Sequence, residues 1–306
     1  MYGRILLLLV CLTAISLFME FAEQGRQLQP PREAAAPPTA PPIVAPPIVA
    51  EAERRPQRPD RAALPGPSRR DPVLRLSDSD PCAKSCSGTA FAIDDRGNWL
   101  TARHVVKGCG KVALQTGPRQ AVRVTEIVSH PRADVALLKT GLNAPALPLT
   151  SGPLFKGQDG FHLGFPRGEP GDVYGELMGR VKVRSRRYAE PGILWAEIDR
   201  APRNDLPLGG LSGGPVLTSE GAVVGVAIAA SPRRGRVTSA APRSLAEVLA
   251  RAEVAIAEAA PQDLDEVKVA PSNYAGYGDH LRARLSVAKV LCWGEGTERR
   301  RRPPLR

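Results

Sequence analysis

The chain has 306 residues, 42% of them apolar, and a formal net charge of +11. That apolar share supports a buried core, which excludes a wholly disordered chain, while 31 prolines, many of them clustered, exclude a uniform globule. The charge invites a nucleic-acid reading, but the excess falls in arginine-rich patches such as residues 299–302, with few aromatics and no nucleic-acid motif, so no nucleic-acid partner is expected.

Residues 1–26 are read as a targeting segment: Arg4 precedes an apolar run over 5–19, broken only by Thr13 and Ser16 and closed by Glu20. The run is short for a membrane-spanning helix and suits a signal-peptide core. No clear small-x-small cleavage site follows, which favours an uncleaved signal anchor over a cleaved signal. The protein would then meet the membrane through this segment and hold the rest in the periplasm or outside the cell; secretion after cleavage is the alternative. Residues 27–80 are read as a proline-rich, disordered linker containing a Pro-Pro-Ile-Val-Ala duplication at 41–45 and 46–50. Proline fixes φ and removes an amide donor, so such a stretch tends to polyproline II, a semi-rigid spacer.

A globular domain is expected over 81–245. Ser87-Gly-Thr-Ala-Phe-Ala-Ile-Asp94 alternates, meets the turn signal Asp-Asp-Arg-Gly, and resumes as Asn98-Trp-Leu-Thr-Ala102, which predicts a hairpin. Further strand-like runs follow at 111–115, 121–129, 134–138, 158–163, 173–184, 193–198, 215–218, 223–229 and 236–240, punctuated by Gly and Pro. Many short strands without intervening helices predict an all-β sandwich or barrel. A helix is expected only near the end, with Ser244 as its N-cap and Leu245, Val248, Leu249 and Ala252 as its apolar stripe. Residues 246–306 are assigned to this helix and a basic tail.

Three segments carry chemistry together. His104 closes Leu100-Thr-Ala-Arg-His104, at the rim of a strand. Asp134 opens the apolar strand Asp134-Val-Ala-Leu-Leu, where a carboxylate is costly to bury without a partner such as a histidine N–H. Ser212 lies in Leu208-Gly-Gly-Leu-Ser212-Gly-Gly-Pro, among four glycines that permit a strained turn and leave backbone amides free for an oxyanion. A serine hydroxyl is a poor nucleophile without a base, and the base needs an orienting acid. Each segment alone has a plain reading, as an exposed histidine, a turn aspartate or a glycine turn. All three, in order and each at a strand edge, point to nucleophilic catalysis.

These blocks resemble the signatures of trypsin-like serine proteases, and Ser87-Gly-Thr-Ala-Phe and Leu163-Gly-Phe-Pro166 are similar in style to bacterial HtrA-type proteases. The resemblance covers roughly residues 85–245. It implies two six-stranded antiparallel barrels with His104 as base and then acid, Asp134 orienting it, and Ser212 as nucleophile. The amides of Gly210 and Ser212 would form the oxyanion hole. It also implies a specificity pocket near Leu206, Val226, Ala227 and Ile228, all apolar, and hence cleavage after a small to medium apolar side chain. Protein or peptide substrates are implied, with no cofactor and no metal. Two departures stand out. Leu211 occupies a position where Asp or Asn is usual, and too few residues follow the domain for a PDZ module.

Four cysteines outside the N-terminal run permit two disulfides. By the resemblance, Cys86–Cys109 is the preferred pair and Cys82–Cys109 the next, with Cys292 available to Cys82. His130 and His162 are read as structural, and Trp99 and Trp195 as core. The competing function is a catalytically silent, membrane-anchored binding module on the same fold.

Overall fold

The computed structural model describes residues 62–76, 85–186, 188–255 and 268–294. In chain order the strands are β1 (Val73–Arg75), β2 (Ser85–Ala92), β3 (Asn98–Thr101), β4 (Cys109–Gly117), β5 (Gln120–Ser129), β6 (Ala136–Thr140), β7 (Asp159–Gly164), β8 (Gly171–Arg184), β9 (Ala189–Ala201), β10 (Pro215–Leu217), β11 (Val223–Ser231), β12 (Arg236–Ala240) and β13 (Val287–Gly294). Among the described residues three α-helices accompany them: α1 (Arg103–Val106), α2 (Pro242–Arg251) and α3 (Tyr274–Ala283). The expected hairpin is present as β2 and β3, its turn held by the Asp94 carboxylate, which accepts the amides of Arg96 and Asn98.

The strands form two closed barrels of six. The first runs β13-β2-β3-β6-β5-β4 and joins its ends through β13 and β4. The second runs β8-β7-β10-β11-β12-β9 and closes through β8 and β9, with β1 added in parallel along the distal part of β8. Closure removes the unpaired edges that an open antiparallel sheet would present. Trp99, Phe91 and Leu114 fill the first barrel and Trp195, Ile193 and Leu177 the second, all essentially inaccessible to solvent. Burying such a side chain contributes roughly 1.5–3 kcal/mol. One apolar cluster also crosses between the barrels, joining Phe161 and Leu163 to Ala90 and Leu100.

The structure differs from the sequence reading in four places. First, the residues assigned to a helix and basic tail supply β13, which pairs antiparallel with both β2 and β4 and so completes the first barrel. No neighbouring segment signals this strand, because its partners lie far back in the chain. Second, Cys109 pairs with Cys292, not with Cys86, since β13 brings Cys292 beside β4. Cys86 is itself disulfide-bonded, and Cys82 lies outside the described residues. Third, part of the expected linker is ordered against the second barrel. Leu64 donates its amide to the Leu154 carbonyl, and β1 pairs with Lys182, Val183 and Arg184 of β8. Fourth, α2 starts at Pro242 with Ala241 as N-cap. Ser244 lies buried in the first turn, where its hydroxyl donates to Glu190. The expected stripe of Leu245, Val248, Leu249 and Ala252 does face the core, with Ala252 as the C-cap. The N-terminal targeting segment lies outside the described residues; among the described residues no helix is long and apolar enough to cross a membrane.

Candidate active site

His104 sits in the single turn of α1, directly after β3, and Asp134 just before β6, the strand paired with β3. That pairing sets the two side by side. His104 Nδ1 lies 2.6 Å from Asp134 Oδ2, and the His104 backbone amide donates to Oδ1 at 2.8 Å. Asp134 is buried and His104 partly accessible. Burial alone would raise the Asp134 carboxyl. The charge of His104, hydrogen bonds from its ring and amide, and one from the Tyr188 hydroxyl outweigh this and hold the carboxyl below its ordinary value. The result is an ionised carboxylate orienting an imidazole by Nδ1, with Nε2 left for other work.

Ser212 lies in the connection between β9 and β10, in the second barrel, and is partly accessible. Its turn packs against the strands that carry His104: the Ser212 carbonyl accepts the Thr89 amide at 2.9 Å. A Cβ on Gly213, at φ +90°, would fall 2.0 Å from the Thr89 carbonyl and 3.0 Å from the Ala102 amide, so only glycine permits this approach. The amides alternate in use. Leu211 donates to the Leu208 carbonyl, Gly213 to Ala227 and Gly214 to Leu211. Among the described residues, those of Gly210 and Ser212 have no protein acceptor. Two free amides, two residues apart beside a partly accessible hydroxyl, can bind a developing oxyanion.

The residues named for a specificity pocket divide. Leu206 is exposed, its amide held by Asn204 Oδ1 and its carbonyl by Arg200. Val226, Ala227 and Ile228 are buried in the apolar clusters. The first accessible side chains on β11 are Ala229 and Ala230. His130 and His162 are both buried, as expected of structural histidines. His130 bridges to Glu247 of α2, and His162 lies edge-on to Trp195 in the second barrel.

Sequence reasoning missed the groups beneath Asp134. Glu190, buried at the start of β9, accepts the Asp134 amide at 2.8 Å and the Ser244 hydroxyl at 3.3 Å. Burial and the charge of Asp134 push its carboxyl up to about 8. The Arg103 guanidinium stacks over the Tyr188 ring at 5.5 Å and donates to the His130 carbonyl. A charged residue opening a strand was the one available signal, and it does not say what the residue faces. Thr89 follows Ser85 and Ser87 in β2 and does not stand out in the sequence, yet it is fully buried and its hydroxyl donates to the Gly210 carbonyl of the serine turn.

Two barrels, with a His–Asp pair on one and a glycine-flanked serine turn from the other, define a trypsin-like peptidase fold. Residues 88–226 match the family model of the trypsin-like peptidase domain. HhoA of Synechocystis sp., whose name assigns it to the serine proteases, is 31% identical over 147 residues. The match covers 45% of this chain and 36% of that relative, so the chain spans about a third of its length. Among solved structures, the active form of the Rv3671c protease of M. tuberculosis is 18% identical, with a TM-score of 0.46, over 65% of this chain and 96% of that one. The HtrA-type protease AlgW with a decapeptide is 21% identical, with a TM-score of 0.45, over 54% of this chain and 51% of that one.

Proposed function

We propose that the chain is a serine endopeptidase that cleaves peptide bonds through an acyl-enzyme. The observation that carries this reading is the His104–Asp134 pair at 2.6 Å, with the Ser212 turn packed against the same strands. His104 Nε2 takes the proton of Ser212 Oγ as the oxygen attacks the scissile carbonyl, and the Gly210 and Ser212 amides receive the oxyanion. His104 then passes that proton to the leaving amine. In the second half, His104 takes a proton from water as the water attacks the acyl-enzyme, and returns it to Ser212 Oγ. Asp134 stays ionised throughout, which agrees with its lowered carboxyl.

Leu206, Ala229 and Ala230 are accessible and apolar, which supports a preference for a small to medium apolar side chain before the cleaved bond. The apolar run at 5–19 supports anchoring in the cell envelope, with the barrels on the outer side of the membrane. The test is labelling of the full chain with a fluorophosphonate probe beside Ser212→Ala. Covalent labelling lost in Ser212→Ala is the expected result. A folded wild-type protein that does not label would sink the reading and leave a binding module on the same fold.

A further inference from the structure

The turn Phe165-Pro166-Arg167-Gly168 is tied to the serine turn at two points. The Phe165 amide donates to Thr89 Oγ1 at 3.1 Å, and that hydroxyl donates to the Gly210 carbonyl at 2.8 Å. The Arg167 amide, on a residue at φ +57°, donates to the Gly209 carbonyl at 2.5 Å. The second bond bears on the chemistry. In a trans peptide the carbonyl and the following N–H point opposite ways, so fixing the Gly209 carbonyl on Arg167 turns the Gly210 N–H away from that turn. Gly210 lies at φ +103°, where glycine tolerates several conformations, so its own chain does little to choose one. The choice needs an outside restraint.

That restraint comes from the end of the chain. Lys289 Nζ, on β13, donates to the Gly168 carbonyl at 2.7 Å. Arg282, on α3, donates to the Gly164 carbonyl at 3.3 Å and lies with its guanidinium 6.0 Å from the Phe165 ring. It is itself locked by two bonds to buried Asp172, at 2.6 and 2.8 Å. Lys289 also stands opposite Thr89 in the β13–β2 register. Both ends of the 164–168 turn are therefore gripped from the C-terminal segment, and its middle grips the oxyanion peptide.

We propose that Lys289 and Arg282 are positioning residues for the oxyanion-binding peptide, aiming the Gly210 N–H by way of the 164–168 turn. The proposal rests on the endopeptidase reading. It gives the C-terminal segment a part in the reaction as well as in closing the first barrel.

Lys289→Met tests it in the full chain, since it keeps the apolar stem and removes the donor; Lys289→Arg restores a cation. Two quantities are measured: the second-order rate of fluorophosphonate labelling, and hydrogen exchange at the Arg167 amide. In Lys289→Met, labelling is expected to slow at least ~10-fold, approaching the ~10²–10³-fold loss of a whole oxyanion donor. Arg167 exchange should quicken, Lys289→Arg should recover both, and the melting temperature should move by only a few degrees. If wild type labels and Lys289→Met labels as fast, or slows without faster Arg167 exchange, the proposal is overturned. If wild type does not label, the endopeptidase reading has failed, and exchange alone decides. Faster exchange in Lys289→Met then upholds the mechanical link, and unchanged exchange overturns it.

Discussion

The two barrels have the same number of strands and are built by the chain in different ways. The second takes all six from one continuous stretch, β7 to β12. The first takes five from β2 to β6 and waits for its sixth, β13, until after the second barrel is complete. Non-local pairing must overcome loop-closure entropy before any contact forms, so closure of the first barrel is the costlier step. The half that carries His104 and Asp134 is thus the half that depends on the end of the chain. The Cys109–Cys292 disulfide spans 183 residues and fixes that dependence covalently.

The sharpest way to break this contrast is truncation before Val287. It should strip β2 and β4 of a common partner and leave two unpaired edges. Hydrogen exchange is expected to show protection lost across β2 to β6 and retained in β7 to β12, with labelling of Ser212 abolished. Native-like protection in both halves would mean that the first barrel closes without β13. A smaller effect is expected of Cys292→Ser. Native disulfides that close long loops typically contribute about 2–5 kcal/mol, and urea unfolding should report a loss in that range. Cys109→Ser should lose as much, and the double variant no more than either. Unequal single losses would show that one of the two cysteines stabilises the barrel by something other than this bond.

Much of this was legible in the sequence because it is local. Alternation and turn residues marked the β2–β3 hairpin and most later strands. His104, Asp134 and Ser212 each sit in a segment whose neighbours advertise a strand edge or a glycine turn. What escaped is long-range. Val287-Ala-Lys-Val-Leu-Cys-Trp reads as a strand only once β2 and β4 are known to lack a partner. The Cys109–Cys292 pair follows from that strand and could not precede it. Lys289, Arg282 and Glu190 are ordinary charged residues by composition. Their importance lies in which carbonyl, carboxylate or amide they meet when the barrels come together.

Glu190 tests where the two barrels join. It belongs to β9 of the second barrel, yet its carboxyl accepts the amide of Asp134 in the first and the hydroxyl of Ser244 on α2. With its carboxyl pushed up to about 8 in the fold and near 4.5 when unfolded, the unfolded chain releases this proton at lower pH than the folded one. Stability from this group is therefore full below pH 4.5 and is lost as pH rises towards 8. Gln resembles the protonated acid: its carbonyl can accept the Asp134 amide while its NH2 donates to Ser244. Glu190→Gln should therefore flatten the decline between pH 5 and 8 and be the more stable form at pH 7, by up to about 3 kcal/mol. Urea unfolding of both proteins at several pH values measures this directly. A variant that is less stable at pH 7 with an unchanged slope would mean that Glu190 is ionised in the fold, and that the barrels meet across a charge rather than a shared proton.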